Sequence, residues 1–273
     1  MSGTRSNEMD TEALVMLRDP GISEVPVIER FFDVNFQTGS IEAIRRYVVL
    51  AARSPKTSML VTPNVDHVVS LEKHVSSEVR AIYFSADHYL CDSKILARLA
   101  RWHMLDLTPR TGTDRVADIL ESSQDRDLVI AVIGPMPAQT EALRQRYPGW
   151  QFVHLDAPQD LKRGTPAWDR CVAQAAEENW NILLACLSFP KQELFAHDVR
   201  AARQTAGGVI MCVGEAVDFL SGTHRRAPQS FQRHGLEWLH RLLTNPRRLW
   251  RRYLVEGPKI FLLYIQRRRA GQP

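Results

Sequence analysis

The sequence predicts an α/β fold: a Rossmann-like, mainly parallel sheet flanked by helices, with a basic helical C-terminal appendage. Three observations predict it. Short apolar runs alternate with segments of helical periodicity, the pattern of parallel strands joined by crossover helices. Two of the runs, LVIAVIG at 128–134 and ILLACLS at 182–188, lack polar alternation, as expected of strands covered on both faces. After Gly222 the composition turns abruptly basic and the period is helical.

Taken in order, residues 1–22 are polar and weakly periodic and are expected to form a mobile arm. Residues 23–222 form the α/β domain, with strands expected at 58–62, 81–84, 128–133, 151–154, 182–187 and 209–213. Helices are expected at 41–53, 65–75, 93–102, 113–121, 138–146, 167–179 and 191–203. The appendage, 223–273, reads as two or three basic helices. Asn245-Pro246 and Gly257-Pro258 break them, because proline cannot continue the helical hydrogen-bond ladder.

Composition narrows the class. At 273 residues the chain can bury one α/β core and a small subdomain. Residues 224–273 hold 12 Lys/Arg against two acids, so the overall +4 conceals a net −6 on residues 1–223. An acidic body with a basic tail points to a polyanionic partner. Within the tail the arginines interleave with Trp238, Leu242, Leu249, Trp250 and Tyr253 at helical spacing. That amphipathic pattern favours an anionic membrane surface over nucleic acid. The four cysteines make no CxxC pair and sit mostly in apolar runs, as buried thiols of a reducing compartment do. Residues 1–10 are polar with no apolar run behind them, so no signal peptide is expected. The longest apolar run of the tail, 260–265, is far short of the ~20 residues of a membrane span. The expected location is the cytoplasm, with membrane contact at the surface only.

In open α/β sheets ligands bind beyond the carboxyl ends of the strands. Four clusters lie there. Thr62 and Asn64, in TPNVDH, offer short polar groups suited to a sugar or phosphate, although Asn64 is equally a helix N-cap. Asp92, before Ser93, either caps a helix or serves as a general base toward an attacking hydroxyl. Arg110, in RTGTD, precedes a helix that Thr113 or Asp114 can cap and suits an anion. Lys191 and Gln192, in SFPKQE, stand at a strand–turn–helix junction where free N–H groups can meet a diphosphate.

Other signals are missing. Neither GxGxxG nor GxxxxGK[ST] occurs, which argues against ordinary dinucleotide and P-loop binding. Asp125-Arg126-Asp127 has the DxD form of some metal sites, but it precedes its strand and so lies at the wrong end of the sheet. No histidine pair has metal-ligand spacing with a supporting carboxylate.

In their order these clusters resemble the WecG/TagA/CpsF glycosyltransferases. PKQE at 190–193, VGEAVDFLSG at 213–222, RAP at 226–228 and GLEWLHRLLTNPRRLWRRYL at 235–254 carry the resemblance, with RTGTD at 110–114. It implies an inverting transfer of a sugar from a UDP-sugar to a sugar on polyprenyl diphosphate. The sugar would be N-acetylmannosamine, N-acetylmannosaminuronic acid or glucose. Such an enzyme builds cell-surface polysaccharide as a peripheral protein of the bacterial inner membrane, on its cytoplasmic face. It implies no cofactor and no essential metal, and it leaves a homo-oligomer open. It makes Asp92 the base, Thr62 and Asn64 substrate contacts, and Arg110 and Gln192 ligands of the donor or leaving diphosphate. Arg241, Arg248 and Arg251 match basic positions of an appendage that closes the site and meets the bilayer. Two positions depart from the family pattern: an Asp-Gly is Asp92-Ser93 here, and a glycine-rich turn is Cys186-Leu187-Ser188. The rival reading is a non-catalytic nucleotide- or nucleic-acid-binding homologue that uses the basic tail.

Overall fold

The computed structural model describes residues 26–204, 206–224, 226–228, 230–231 and 236–272, so the 1–22 arm lies outside the described residues. The chain opens with an antiparallel hairpin, β1 (Val27–Phe31) and β2 (Val34–Thr38). Sequence reading missed it. The alternating Val34, Phe36 and Thr38, all buried, carry its signal, but the turn is made by Phe32 and Asp33 at φ +49° and +60°, without the usual glycine or asparagine.

The main sheet has six strands: β3 (Thr57–Val61), β4 (His88–Tyr89), β5 (Val129–Ile133), β6 (Gln151–Leu155), β7 (Ile182–Ala185) and β8 (Gly208–Cys212). Their order is β4-β3-β8-β7-β5-β6, and every pairing is parallel. Successive residues serve opposite faces. Met59, Val61, Leu183 and Ala185 join one core, while Leu60, Ile182 and Leu184 join the other. Both faces are therefore covered, which explains the unbroken apolar runs.

Helices α1 (Ile41–Arg53), α2 (Val65–Lys73), α3 (Ser77–Phe84), α4 (Lys94–Arg101) and α5 (Gly112–Leu120) occupy the first half. Helices α6 (Pro137–Arg146), α7 (Pro166–Glu177), α8 (Lys191–Ala202) and the short α9 (Ala216–Leu220) follow. One expectation is overturned: 81–84 is the last turn of α3, not a strand. Ser76 caps that helix by accepting the Val79 N–H at 3.3 Å, and Ile82 and Tyr83 turn into the core as helical neighbours. The edge strand is the shorter β4, and β2 shields it, since Tyr89 N–H donates to Gln37 Oε1 at 2.6 Å.

The appendage contains α10 (Glu237–Thr244), α11 (Pro246–Trp250), a π-helical segment (Arg251–Glu256) and α12 (Lys259–Arg269). Its breaks fall at the two expected proline junctions. Far from standing apart, α12 buries Ile260, Leu263 and Tyr264 in the core on the α2 side of the sheet. Arg267 donates to Asp33 and Glu72 at 2.7 Å each, and Arg252 lies 3.3 Å from Asp66. No described helix is long and apolar enough to cross a membrane.

Candidate active site

Three loops meet beyond the carboxyl ends of β3 and β4. Asp92 N–H donates to Pro63 O at 3.0 Å, and Arg110 N–H donates to Cys91 O at 3.0 Å. The strand-like ladder thus continues past the sheet and sets Thr62, Asn64, Asp92 and Arg110 side by side. Gly112 lets α5 approach this layer, because a Cβ there would stand 3.2 Å from Val213 O.

Asp92 is half-buried and is not a helix cap. Ser93 caps α4 instead, its Oγ accepting the Leu96 N–H at 3.2 Å. Asp92 is thereby spared for other chemistry. Burial pushes its carboxyl up to about 7; Arg241 opposes the shift, Glu237 and Asp114 reinforce it, and Arg115 opposes it. A carboxyl that titrates near neutrality at a strand end suits a general base.

Glu237 and Arg241, which act electrostatically on this carboxyl, line a nearby cleft. Thr111 and Thr113 at the start of α5, Phe219 of α9, Arg226, and Glu237, His240 and Arg241 of α10 line it. Arg241 lies over the Phe219 ring, 5.0 Å from its centroid, and 3.7 Å from the Glu215 carboxylate. Arg226 donates to Asp114 at 2.7 Å and to Thr111 Oγ1 at 3.2 Å. Thr111, not Thr113 or Asp114, caps α5 by accepting the Asp114 N–H at 3.1 Å. One wall of the cleft is therefore appendage and the other is core.

The remaining expected residues are engaged in the fold. Thr62 donates to Cys212 O at 2.8 Å, which ties β3 to β8. Asn64 caps α2 through Oδ1, accepting the His67 N–H at 3.1 Å, and this leaves its NH2 group for another partner. The Arg110 guanidinium is paired with both carboxylate oxygens of Asp118 and is not aimed at an empty anion site. Gln192 is buried beneath the loop after β8. Its Oε1 accepts the Gly214 N–H at 2.9 Å and its Nε2 donates to Glu193 at 2.9 Å. Gly214 sits at φ +56°, and the Gln192 contact holds that left-handed turn. Arg251 is exposed on the π-helical segment, and the Arg248 side chain lies outside the described residues.

Sequence reading missed two buried ionisable groups here. Arg115 is 3 % exposed and spends one N–H on Thr108 O, while Nε and Nη1 lack a described partner. Burial lowers its pKa to about 10. Glu193 is fully buried with Oε2 unpartnered, and burial pushes it up to about 7. Nothing in the local sequence pattern marks either as buried; only the approach of distant strands and helices encloses them.

Asp125 and Asp127 of the DxD-like turn pair with Arg45 and Arg53 of α1. No cluster of three or more His, Cys, Asp or Glu suited to a metal occurs among the described residues. The cysteines are free, three of them buried, and burial pushes the Cys91 and Cys186 thiols up to about 12. A model of one protein family, the glycosyl transferase WecG/TagA/CpsF family, matches residues 29–273.

Proposed function

Since the chain belongs to the glycosyl transferase WecG/TagA/CpsF family, we propose that it moves a sugar from a UDP-sugar to a sugar carried on polyprenyl diphosphate, with inversion, for cell-surface polysaccharide. The observation that supports the reading most is Asp92, a half-buried carboxyl pushed up to about 7 and acted on by Glu237 and Arg241 of a cleft walled by core and appendage. In the proposed step the acceptor hydroxyl attacks the anomeric carbon from the face opposite UDP. Asp92 takes the hydroxyl proton as the new C–O bond forms. The bond to the UDP oxygen breaks, and UDP leaves with the electron pair.

The departing diphosphate needs fixed positive charge. Arg241 is the cation nearest to this task, because it already acts electrostatically on Asp92. Arg110 would first have to release Asp118. Arg248 and Arg251 would join as the appendage closes over bound donor. Asn64 fits the sugar or acceptor side, its NH2 group open and its loop laced by backbone to that of Asp92, whereas Thr62 would first have to release Cys212 O. Gln192 fits a supporting role, holding the Gly214 turn from below. Tail binding to the cytoplasmic leaflet belongs to the same proposal, with no cofactor and no essential metal.

The deciding experiment is Asp92→Asn, assayed with a panel of UDP-sugars and a defined prenyl-diphosphate acceptor. UDP affinity should persist while turnover falls roughly 10²–10⁴-fold, the range for a positioned acid–base group. Near-wild-type turnover removes Asp92 from the role. Turnover that persists in EDTA supports the metal-free reading, and loss restored by magnesium or manganese refutes it.

A further inference from the structure

Helix α4 starts next to Asp92 and ends in a turn with unusual properties. Met104 N–H donates to Arg101 O at 3.0 Å and Leu105 N–H to Ala100 O at 3.2 Å. That is the paired bonding of a Schellman end, whose left-handed position glycine usually fills. Here the position is Met104, at φ +62°. A methionine there strains the backbone, and the side chain gains nothing by packing, since it is 93 % exposed. Trp102, two residues earlier, is 62 % exposed.

The turn adjoins α12. The Trp102 and His103 rings each lie 5.4 Å from the Tyr264 ring. Tyr264 faces the core, and the opposite side of α12 displays Phe261, Leu262 and Ile265, all exposed among the described residues. Exposed cations adjoin each of these apolar groups along the chain. Arg98 and Arg101 occupy the last turn of α4, and Arg268 and Arg269 the last turn of α12, all four exposed. Trp, Met and Phe displayed alongside arginines match the boundary of an anionic bilayer, where apolar groups meet acyl chains and guanidinium groups meet phosphates.

We propose that the 102–104 turn is a second membrane contact, built into the catalytic core, which inserts Trp102 and Met104 into an anionic bilayer. The inference deepens the proposed function and rests on its placing the acceptor in a membrane. Eight residues of α4 span about 12 Å. The turn therefore sets the bilayer about one short helix away from the candidate base. The appendage supplies attraction, and the turn supplies orientation.

The test uses the full chain with Trp102→Ser/Met104→Ser and, separately, Met104→Gly, in flotation with phosphatidylglycerol/phosphatidylethanolamine vesicles. Partitioning of the double variant should fall about tenfold, as expected for losing two interfacial side chains. Turnover on a short water-soluble acceptor should stay at wild-type level. Met104→Gly should raise Tm, because glycine relieves the left-handed strain, and yet weaken vesicle binding. Unchanged partitioning in both variants overturns the proposal. So does a loss of self-association in solution with vesicle binding intact, which would make a second copy of the chain the occupant. Wild-type protein that binds vesicles through the turn but transfers no sugar faults the reaction and leaves the membrane contact standing.

Discussion

Arg226 donates to Asp114 at 2.7 Å across 112 residues of sequence, and this bond ties the appendage segment to the helix that begins beside the candidate base. Both side chains are partly exposed, at 33 % and 27 %, so the pair contributes no more than about 1 kcal/mol to folding. Its consequence lies in cleft geometry. Arg226→Ala is expected to change Tm by only a few degrees and to lower kcat by about tenfold through a loosened wall. The charge-swapped pair Arg226→Asp/Asp114→Arg should recover part of that loss. A kcat equal to wild type in the single variant would show that the strap is decorative.

Asp92 predicts the pH profile. As a base it must be ionised, so turnover should rise with pH and level off above about 7. Arg241 holds that value down, so Arg241→Ala should move the acidic limb to higher pH. Stability carries the opposite sign. The folded carboxyl titrates near 7 against 3.8 ordinarily, so between those values the folded state holds the proton more tightly. Folding stability is therefore lost as pH rises through the window. Asp92→Asn should match wild type near pH 4 and exceed it at pH 8, by roughly 1–3 kcal/mol given partial solvent access. Denaturant melts at both pH values measure this.

Glu193 carries the same sign for a different reason. Its unpartnered Oε2 and complete burial make ionisation costly, with titration raised from 4.5 to about 7. Glu193→Gln should gain stability over wild type as pH rises from about 4.5 to 7. Glu193→Ala should cost about 2–3 kcal/mol near pH 4, because it leaves a cavity and frees Gln192 from one of its two bonds, and that cost relative to wild type should shrink as pH rises to 7. Equal effects of the two substitutions at pH 8 would contradict the account.

The appendage cannot be cut away cleanly. Truncation at Gly222 would strip Ile260, Leu263 and Tyr264 from the core, each worth about 1.5–3 kcal/mol when fully buried. The truncated chain should melt well below the full chain, so its loss of activity would say little about a lid. Single substitutions at Arg241, Arg248 and Arg251 are the cleaner test. Alanine at these positions should lower turnover even on a short, water-soluble acceptor. Normal turnover there, combined with weaker vesicle binding, would make the tail an anchor alone.

Local pattern made much of this protein legible from its residues. The apolar runs at 128–133 and 182–187 had to be strands of a sheet covered on both faces, since no polar alternation offered water a side. Prolines 246 and 258 had to interrupt the tail helices. Asp92 was expected beyond a strand at 81–84, but that segment is helix, and it is the short β4 at His88–Tyr89 that puts Asp92 at the carboxyl end of the sheet. Tertiary structure decided what depends on partners far along the chain. Segment 81–84 became helix because Ser76 capped it and the core accepted Ile82 and Tyr83 on one turn. Ser93 took the cap that Asp92 could have made, and Asp118 took the Arg110 fork. Burial of Arg115 and Glu193 arose only when strands and helices closed around them. Propensity and periodicity act over a few residues and are written locally. The charge and solvent access of a site are sums over groups that only the folded chain brings together.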